Sequence, residues 1–209
     1  MNANNLAQML GDACYGFLTI NFFWGLYHII LGFRRVKQLS YANHDEQAEF
    51  MDELMPLLKD GNDDAVEELC HDDARALPQL AHLAVANRAV GADQLRQLVS
   101  EVVQRDVMSD LEYRTSWVAT VIKSGPLLGL FGTVLGMMAA FGRIGTGEKV
   151  QPSQIADEIS VALICTAMGL ATAIPFNFML ASLNAKIRKF QDALGAGLVR
   201  VLDAIKARS

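Results

Sequence analysis

Residues 125–141 read GPLLGLFGTVLGMMAAF, and together with residues 159–183, which read ISVALICTAMGLATAIPFNFMLASL, they decide the fold of this chain. Each stretch carries small residues in steps of four, three and four, a spacing that places them along one face of a helix. Inside a bilayer, such a face lets neighbouring helix backbones approach closely. We call these faces the first and second helix-packing stripes: Gly125, Gly129, Gly132 and Gly136 in the first, and Ala162, Thr166, Gly169 and Ala173 in the second.

Three segments contain no Asp, Glu, Lys or Arg: residues 14–33, 124–142 and 159–183. A helix rises about 1.5 Å per residue, so each segment is long enough to cross a hydrocarbon core of about 30 Å. The first segment differs from a signal peptide because Asn21 and His28 interrupt it and basic residues follow it, so we interpret it as a retained span. The chain is therefore predicted to be an all-α integral membrane protein with three transmembrane helices.

The distribution of charge predicts the orientation of these spans. Basic residues cluster directly after the first span and directly after the third: Arg34, Arg35 and Lys37, then Lys186, Arg188 and Lys189. The connector between the second and third spans holds Arg143 and Lys149 against Glu148, Asp157 and Glu158. Because basic loops stay on the cytoplasmic side, the N-terminus is predicted outside and the C-terminus inside.

Residues 38–116 then form a cytoplasmic insertion. They hold 17 of the 23 acidic residues and 6 of the 18 basic ones, a net charge of −11, whereas the rest of the chain carries +6. This acidic body argues against nucleic-acid binding, which needs a basic surface. We divide the chain into an N-terminal segment with the first span (1–37), the cytoplasmic helical region (38–116), the second and third spans (117–190) and a cytoplasmic C-terminal helix (191–209).

Apolar periodicity predicts that the insertion is helical. Gly61 and Asn62 are expected to end its first helix, and the pattern resumes over residues 65–77, with Pro78 as the next break. No Gly or Pro lies between Gln94 and Gly125. We therefore expect one unbroken helix to run from the insertion into the second span.

Two acidic features of the insertion allow two interpretations each. The run Cys70-His71-Asp72-Asp73 is either a metal cluster or a solvated turn, and we favour the turn because adjacent residues on a helix point in different directions. The acids within residues 45–53 and 60–73 form either a solvated face or a docking surface for a basic partner. The three cysteines lie in three different segments and indicate reduced thiols.

The spans offer hydroxyl groups where an ion carrier normally has a charged side chain. Thr133, Thr166 and Thr172 can donate and accept hydrogen bonds but hold no net charge, so an ion path needs a carboxylate from another protein. Alternatively, each threonine bonds back to the preceding helical turn. Pro126 and Pro175 are predicted to kink their helices and free backbone carbonyls.

Residues 125–141 and 155–175, the latter reading IADEISVALICTAMGLATAIP, closely resemble the MotA/TolQ/ExbB proton channel family and are nearest to its ExbB and TolQ branch. The resemblance covers about residues 124–190. It implies a stator subunit of a motor in the bacterial inner membrane, pentameric around an ExbD/TolR/MotB-like single-span partner that carries a membrane aspartate. It also implies that the proton gradient replaces any cofactor, with a TonB-like or other envelope protein as a further partner.

The resemblance also assigns roles to individual residues. Thr133 and Thr166 match two pore threonines, and we add Thr172 to the same path. Val161 stands where ExbB and TolQ have a glutamate. We therefore expect Glu158 and Ser160 to form the pore entrance instead.

Two other functions remain open. A passive membrane scaffold would recruit partners through its acidic region, and a small self-contained transporter would need no partner. The transporter is disfavoured because the spans contain no Asp, Glu, Lys or Arg, and His28 is their one residue that can become charged near neutral pH. We predict no enzymatic activity, since no nucleophile–base arrangement or phosphate-binding loop is evident. Hydroxyls without a carboxylate cage favour the proton over sodium.

Overall fold

The structure, a computed structural model, describes residues 3–145 and 151–208, so the predicted connector charges Glu148 and Lys149 lie outside it. The described residues form helices and no strand. A 3-10 turn covers Arg88–Val90, and a π-helix covers Val103–Met108. The α-helices are α1 (Ala3–Leu39), α2 (His44–Asp60), α3 (Asp63–Cys70), α4 (Ala76–Ala86), α5 (Ala92–Val102), α6 (Ser109–Gly145) and α7 (Pro152–Lys206).

Three helical stretches are long and apolar enough to cross a membrane. They are Ala13–Leu39 in α1, Ala92–Gly142 through α5 and α6, and Pro152–Lys206 in α7. The predicted all-α fold with three long apolar helices is confirmed. α6 and α7 continue as helices through Pro126 and Pro175.

The chain divides into two compact units. The first unit combines the residues up to Ile30 with Thr115–Ser182, and the second combines Leu31–Arg114 with the residues from Leu183 onward. In the first unit, the buried side chains of Val121 in α6 and Phe176 in α7 both lie against Gly25 of α1. The same unit leaves many large apolar side chains exposed, among them Phe23, Leu127 and Phe178. Such broad apolar surface is typical of helices that face lipid or other membrane helices.

The second unit has a conventional buried core. Leu54, Leu58, Val66 and Val201 have no exposed surface, so α2, α3 and α7 each bury apolar side chains within this unit. The Gln47 side-chain amide donates a hydrogen bond of 2.8 Å to the Ala193 carbonyl, which fixes α2 against α7. These contacts bury the apolar stripe of α2 while its acidic residues stay at the surface.

The predicted break between α2 and α3 is confirmed at Gly61 and Asn62. Gly61 has a φ of 81°, the left-handed conformation that glycine adopts most readily at a helix end. The Asn62 side chain accepts a hydrogen bond from the Ala65 N–H and so caps α3. Arg208 donates a hydrogen bond of 2.9 Å to the Leu58 carbonyl, satisfying one of the open acceptors at the end of α2.

The prediction of one helix over residues 65–77 that stops at Pro78 was wrong. α3 ends at Cys70, and α4 begins at Ala76 with Pro78 in its first turn. A proline is tolerated there because the first backbone N–H groups of a helix have no partner within the helix. The Asp73 carboxylate accepts a hydrogen bond of 2.9 Å from the Arg75 N–H and stabilises the turn between the helices.

The predicted unbroken helix from Gln94 to Gly125 is confirmed. α5, the π-helix Val103–Met108 and α6 follow one another without a gap from Ala92 to Gly145. The π-helix is one looser turn within this long helix, and the Gln191 side chain contacts Met108 at 2.9 Å from Sδ.

The side chains of residues 70–73 differ in their exposure to solvent. The Cys70 side chain is buried, whereas His71 and Asp72 are exposed and contact each other at 3.2 Å. Burial, together with the nearby Asp73 carboxylate, raises the pKa of the Cys70 thiol to about 11.

We predict that Cys70 resists alkylation in the folded chain. A pKa of about 11, against 9.0 for an ordinary cysteine, lowers the thiolate fraction at pH 8 about 100-fold. Because the folded-state pKa is raised, the neutral thiol stabilises the fold below pH 9 and that contribution is lost as the pH rises through 11. Peptide mass spectrometry after iodoacetamide treatment measures the reaction. Equal rates in the folded and the urea-denatured chain would contradict this prediction.

Candidate functional site

The two helix-packing stripes lie against each other between α6 and α7. A Cβ built on Gly169 would lie 2.5 Å from the Gly125 carbonyl oxygen and 3.3 Å from the Pro126 Cα. A Cβ built on Gly129 would lie 2.7 Å from the Cys165 carbonyl oxygen and 2.8 Å from the Thr166 Cα. No side chain fits at either glycine unless a backbone moves. The glycines therefore permit direct backbone contact between the two helices.

The contact continues along both stripes. A Cβ on Gly132 would lie 3.0 Å from Cys165 Sγ, and a Cβ on Gly136 would lie 2.6 Å from the Ala162 Cβ. Ala162 and Ala173 are both buried. The structure thus brings together the first stripe and the residues of the second stripe from Ala162 to Gly169.

Two of the predicted path threonines use their hydroxyls within their own helices. Thr133 donates a hydrogen bond of 2.7 Å to the Leu130 carbonyl, and Thr172 donates one of 3.0 Å to the Met168 carbonyl. Both side chains are buried within the first unit. A hydroxyl that donates its single proton to the backbone remains an acceptor but is no longer a donor.

Thr166 is the exception among these threonines. Its Oγ1 is buried and has no hydrogen-bond partner within the part of the chain that the structure describes. The residue lies beside Gly129, whose missing side chain makes room for the Thr166 backbone. Its hydroxyl therefore remains able both to donate and to accept a hydrogen bond.

The predicted entrance residues lie near the start of α7. Ser160 is exposed, and Glu158 is half-buried. Val161 is 54% exposed, and its carbonyl accepts a hydrogen bond of 2.8 Å from the Tyr15 hydroxyl. Sequence analysis did not single out Tyr15. The available signal was a tyrosine at the end of an apolar span, where its ring and hydroxyl suit a boundary between apolar and polar surroundings.

Asn21 forms a polar link between α1 and α6. Its side-chain amide donates to the Val121 carbonyl at 3.3 Å and accepts from the Ser124 hydroxyl at 2.9 Å. Sequence analysis overlooked Ser124, although a serine next to the first stripe is a natural partner for a buried amide. These bonds hold α1 close to the Gly125 end of the first stripe.

Aromatic rings surround His28 on the α1 side of the first unit. Its ring is buried, stacks on Trp117 with centroids 5.9 Å apart, and meets the edge of Trp24 at 5.1 Å. Ring contacts of this kind add to the apolar packing between α1 and α6.

Known proteins resemble part of this chain. A TolQ protein of the Tol-Pal system from Haemophilus influenzae is 36% identical over 93 residues, which cover 44% of this chain and 40% of that protein. An ExbB biopolymer transport protein from Aquifex aeolicus is 33% identical over 116 residues, which cover 51% of this chain and 78% of that protein. A TolQ from Pseudomonas aeruginosa is 43% identical over 65 residues, which cover 31% and 28%.

The matched region spans less than half the length of both TolQ relatives. The family model described as MotA/TolQ/ExbB proton channel family matches residues 72–195, more than half of the chain and all of both stripes. The chain, with its three membrane-length apolar helices, therefore belongs to the MotA/TolQ/ExbB proton channel family.

Proposed function

We propose that this chain is the channel and stator subunit of a motor that is driven by the proton-motive force in the bacterial inner membrane. Five copies form a ring around a single-span partner of the ExbD or TolR kind, whose membrane aspartate carries the proton. The proton gradient is the only energy source, and no cofactor takes part. The single observation that carries this proposal is the buried Thr166 hydroxyl, which has no hydrogen-bond partner among the described residues.

The three threonines have complementary hydrogen-bonding capacities. The Thr166 hydroxyl is able to donate to an ionised carboxylate, the bond that such a group needs in an apolar setting. Thr133 and Thr172 already donate to the backbone and remain acceptors, so they suit a protonated carboxyl group or a water molecule. The partner's aspartate meets Thr166 when ionised and leaves it when protonated, because neutralisation removes most of the burial penalty.

The charge pattern supports the orientation of the proposed subunit. The N-terminus lies outside, the C-terminus lies inside, and the acidic region of residues 38–116 is cytoplasmic, because basic residues follow the first and third spans. Glu158 and Ser160 then lie at the outer end of α7, where they receive protons from the outside. The work delivered across the envelope is passed to a TonB-like protein or to another envelope partner.

Proton flux into liposomes tests the need for a partner. We expect vesicles that contain this chain alone to conduct no more protons than empty vesicles, since its spans contain no Asp, Glu, Lys or Arg. Vesicles that also contain a single-span partner with a membrane aspartate are expected to conduct, and an aspartate-to-asparagine change in the partner removes this flux. Flux from this chain alone would identify it as a self-contained transporter and refute the proposal.

A further inference from the structure

Two cysteines that are far apart in the sequence meet in the first unit. Cys14 of α1 and Cys165 of α7 are each 2% exposed and belong to one buried cluster, whose third member is Leu135. Both are free thiols. The channel proposed above uses neither of them.

Gly132 of α6 lies next to both cysteines. A Cβ built on this glycine would lie 3.0 Å from Cys165 Sγ, 3.0 Å from the Cys165 Cβ and 3.5 Å from the Cys14 Cβ. The two cysteines therefore lie close to one point in the helix interface, and Gly132 contributes no side chain to separate them. A disulfide needs Cβ atoms about 3.5–4.5 Å apart, a separation that this arrangement permits.

A neighbouring hydrogen bond holds the two helices in this register. The Tyr15 hydroxyl donates to the Val161 carbonyl at 2.8 Å, directly after Cys14 on α1 and one helical turn before Cys165 on α7. Tyr15 also packs against the buried cluster that contains both cysteines. The hydrogen bond between Tyr15 and Val161 thus helps to hold the two cysteines near each other, and it does not depend on the packing of the thiols themselves.

We propose that Cys14 and Cys165 are a dithiol–disulfide pair that closes within one chain and fastens the first span to the third. The oxidant is a membrane-soluble two-electron acceptor of the quinone class, because both cysteines lie in helices that are long and apolar enough to cross a membrane. Two S–H bonds break and one S–S bond forms. The quinone takes up the two electrons and two protons and becomes a quinol.

Oxidation of the full-length chain in membrane vesicles tests the proposal. Vesicles are treated with decyl-benzoquinone or with the permeant oxidant diamide, free thiols are blocked, and the chain is digested without reductant. We expect a linked pair of peptides that carries Cys14 and Cys165, lighter by the mass of two hydrogen atoms than the sum of the reduced peptides. Of the three thiols, Cys70 alone stays free, and dithiothreitol restores the other two.

Matched variants keep the result interpretable. Cys14→Ala and Cys165→Ala each remove the linked pair, whereas Cys70→Ala leaves it unchanged. A trivalent arsenical that bridges two close thiols gives a second readout, with one reagent bound across Cys14 and Cys165. The proposal is overturned if both cysteines remain free with all these reagents, if Cys14 links only to another copy of the chain, or if the quinone adds to a single cysteine.

Discussion

Replacing Thr166 with valine is expected to reduce proton-driven work strongly while the chain still folds and assembles. The change removes a buried hydroxyl that has no partner among the described residues and puts a methyl group of similar size in its place. Removing such an unsatisfied group does not weaken the fold, because no intramolecular hydrogen bond is lost. Stability and function should therefore change independently in this variant.

The size of the effect follows from the bond that the proposed channel makes. A hydrogen bond to a charged group contributes about 1.5–3 kcal/mol, which corresponds to a loss of about 10–160-fold in proton flux if that bond forms at the slow step. Flux with the single-span partner in liposomes measures the loss, and size-exclusion chromatography reports assembly. Thr166→Ser keeps the hydroxyl and is expected to retain most of the flux.

Thr19→Val is the matched control for Thr166→Val. The Thr19 hydroxyl lies in the first span and donates to the Tyr15 carbonyl of its own helix at 2.9 Å. We expect this variant to conduct like the unaltered chain. Normal function of both Thr166→Val and Thr133→Val would favour the passive scaffold over the channel.

Replacing Gly169 with alanine is expected to destabilise the first unit strongly. The added Cβ would lie 2.5 Å from the Gly125 carbonyl oxygen, so the backbone of either α6 or α7 has to move. Overpacking costs typically about 1–3 kcal/mol and occasionally more, and here the obstacle is backbone, which cannot change rotamer. Unfolding of the purified chain in mixed micelles with increasing dodecyl sulfate measures the difference.

Gly16→Ala separates this steric effect from helix propensity. Gly16 also lies in a membrane-length helix, but a Cβ built on it meets no atom within 4 Å. Alanine favours a helix over glycine by about 0.8–1.0 kcal/mol, so this variant should be as stable as the unaltered chain or more stable. Equal stability of the Gly169 and Gly16 variants would contradict the close contact between the stripes.

The architecture was largely predictable because it follows from patterns that are local in the sequence. Apolar runs without charge predicted the three long helices. Gly61 and Asn62 predicted where the first helix within residues 38–116 ends. Pro78 misled the prediction, because a proline ends a helix or begins one according to its neighbours. The turn before it depends on the Asp73 carboxylate and the Arg75 N–H, a contact that no periodicity reveals.

The candidate site was predictable in composition but not in its partners. The equal spacing of the stripes indicated two matching helix faces, yet spacing alone does not show that Gly125 lies against Gly169. Thr133 and Thr166 differ in hydrogen bonding because their side chains adopt particular rotamers, which the sequence alone does not determine. Tyr15 and Ser124 each form a hydrogen bond with a residue of another helix that is more than 100 positions away in the sequence. Helical periodicity does not encode such pairings.

The contact between the stripes is made within a single chain, and this has a genetic consequence for the proposed ring. We expect the Gly169→Ala chain to fold poorly before it meets other copies, so in a cell that also makes the normal chain the defect should be recessive. We expect the Thr166→Val chain to fold, to enter the proposed rings beside normal copies and to impair each ring that it joins. That allele should then be dominant. Making each variant in a cell together with the normal chain distinguishes the two kinds of defect.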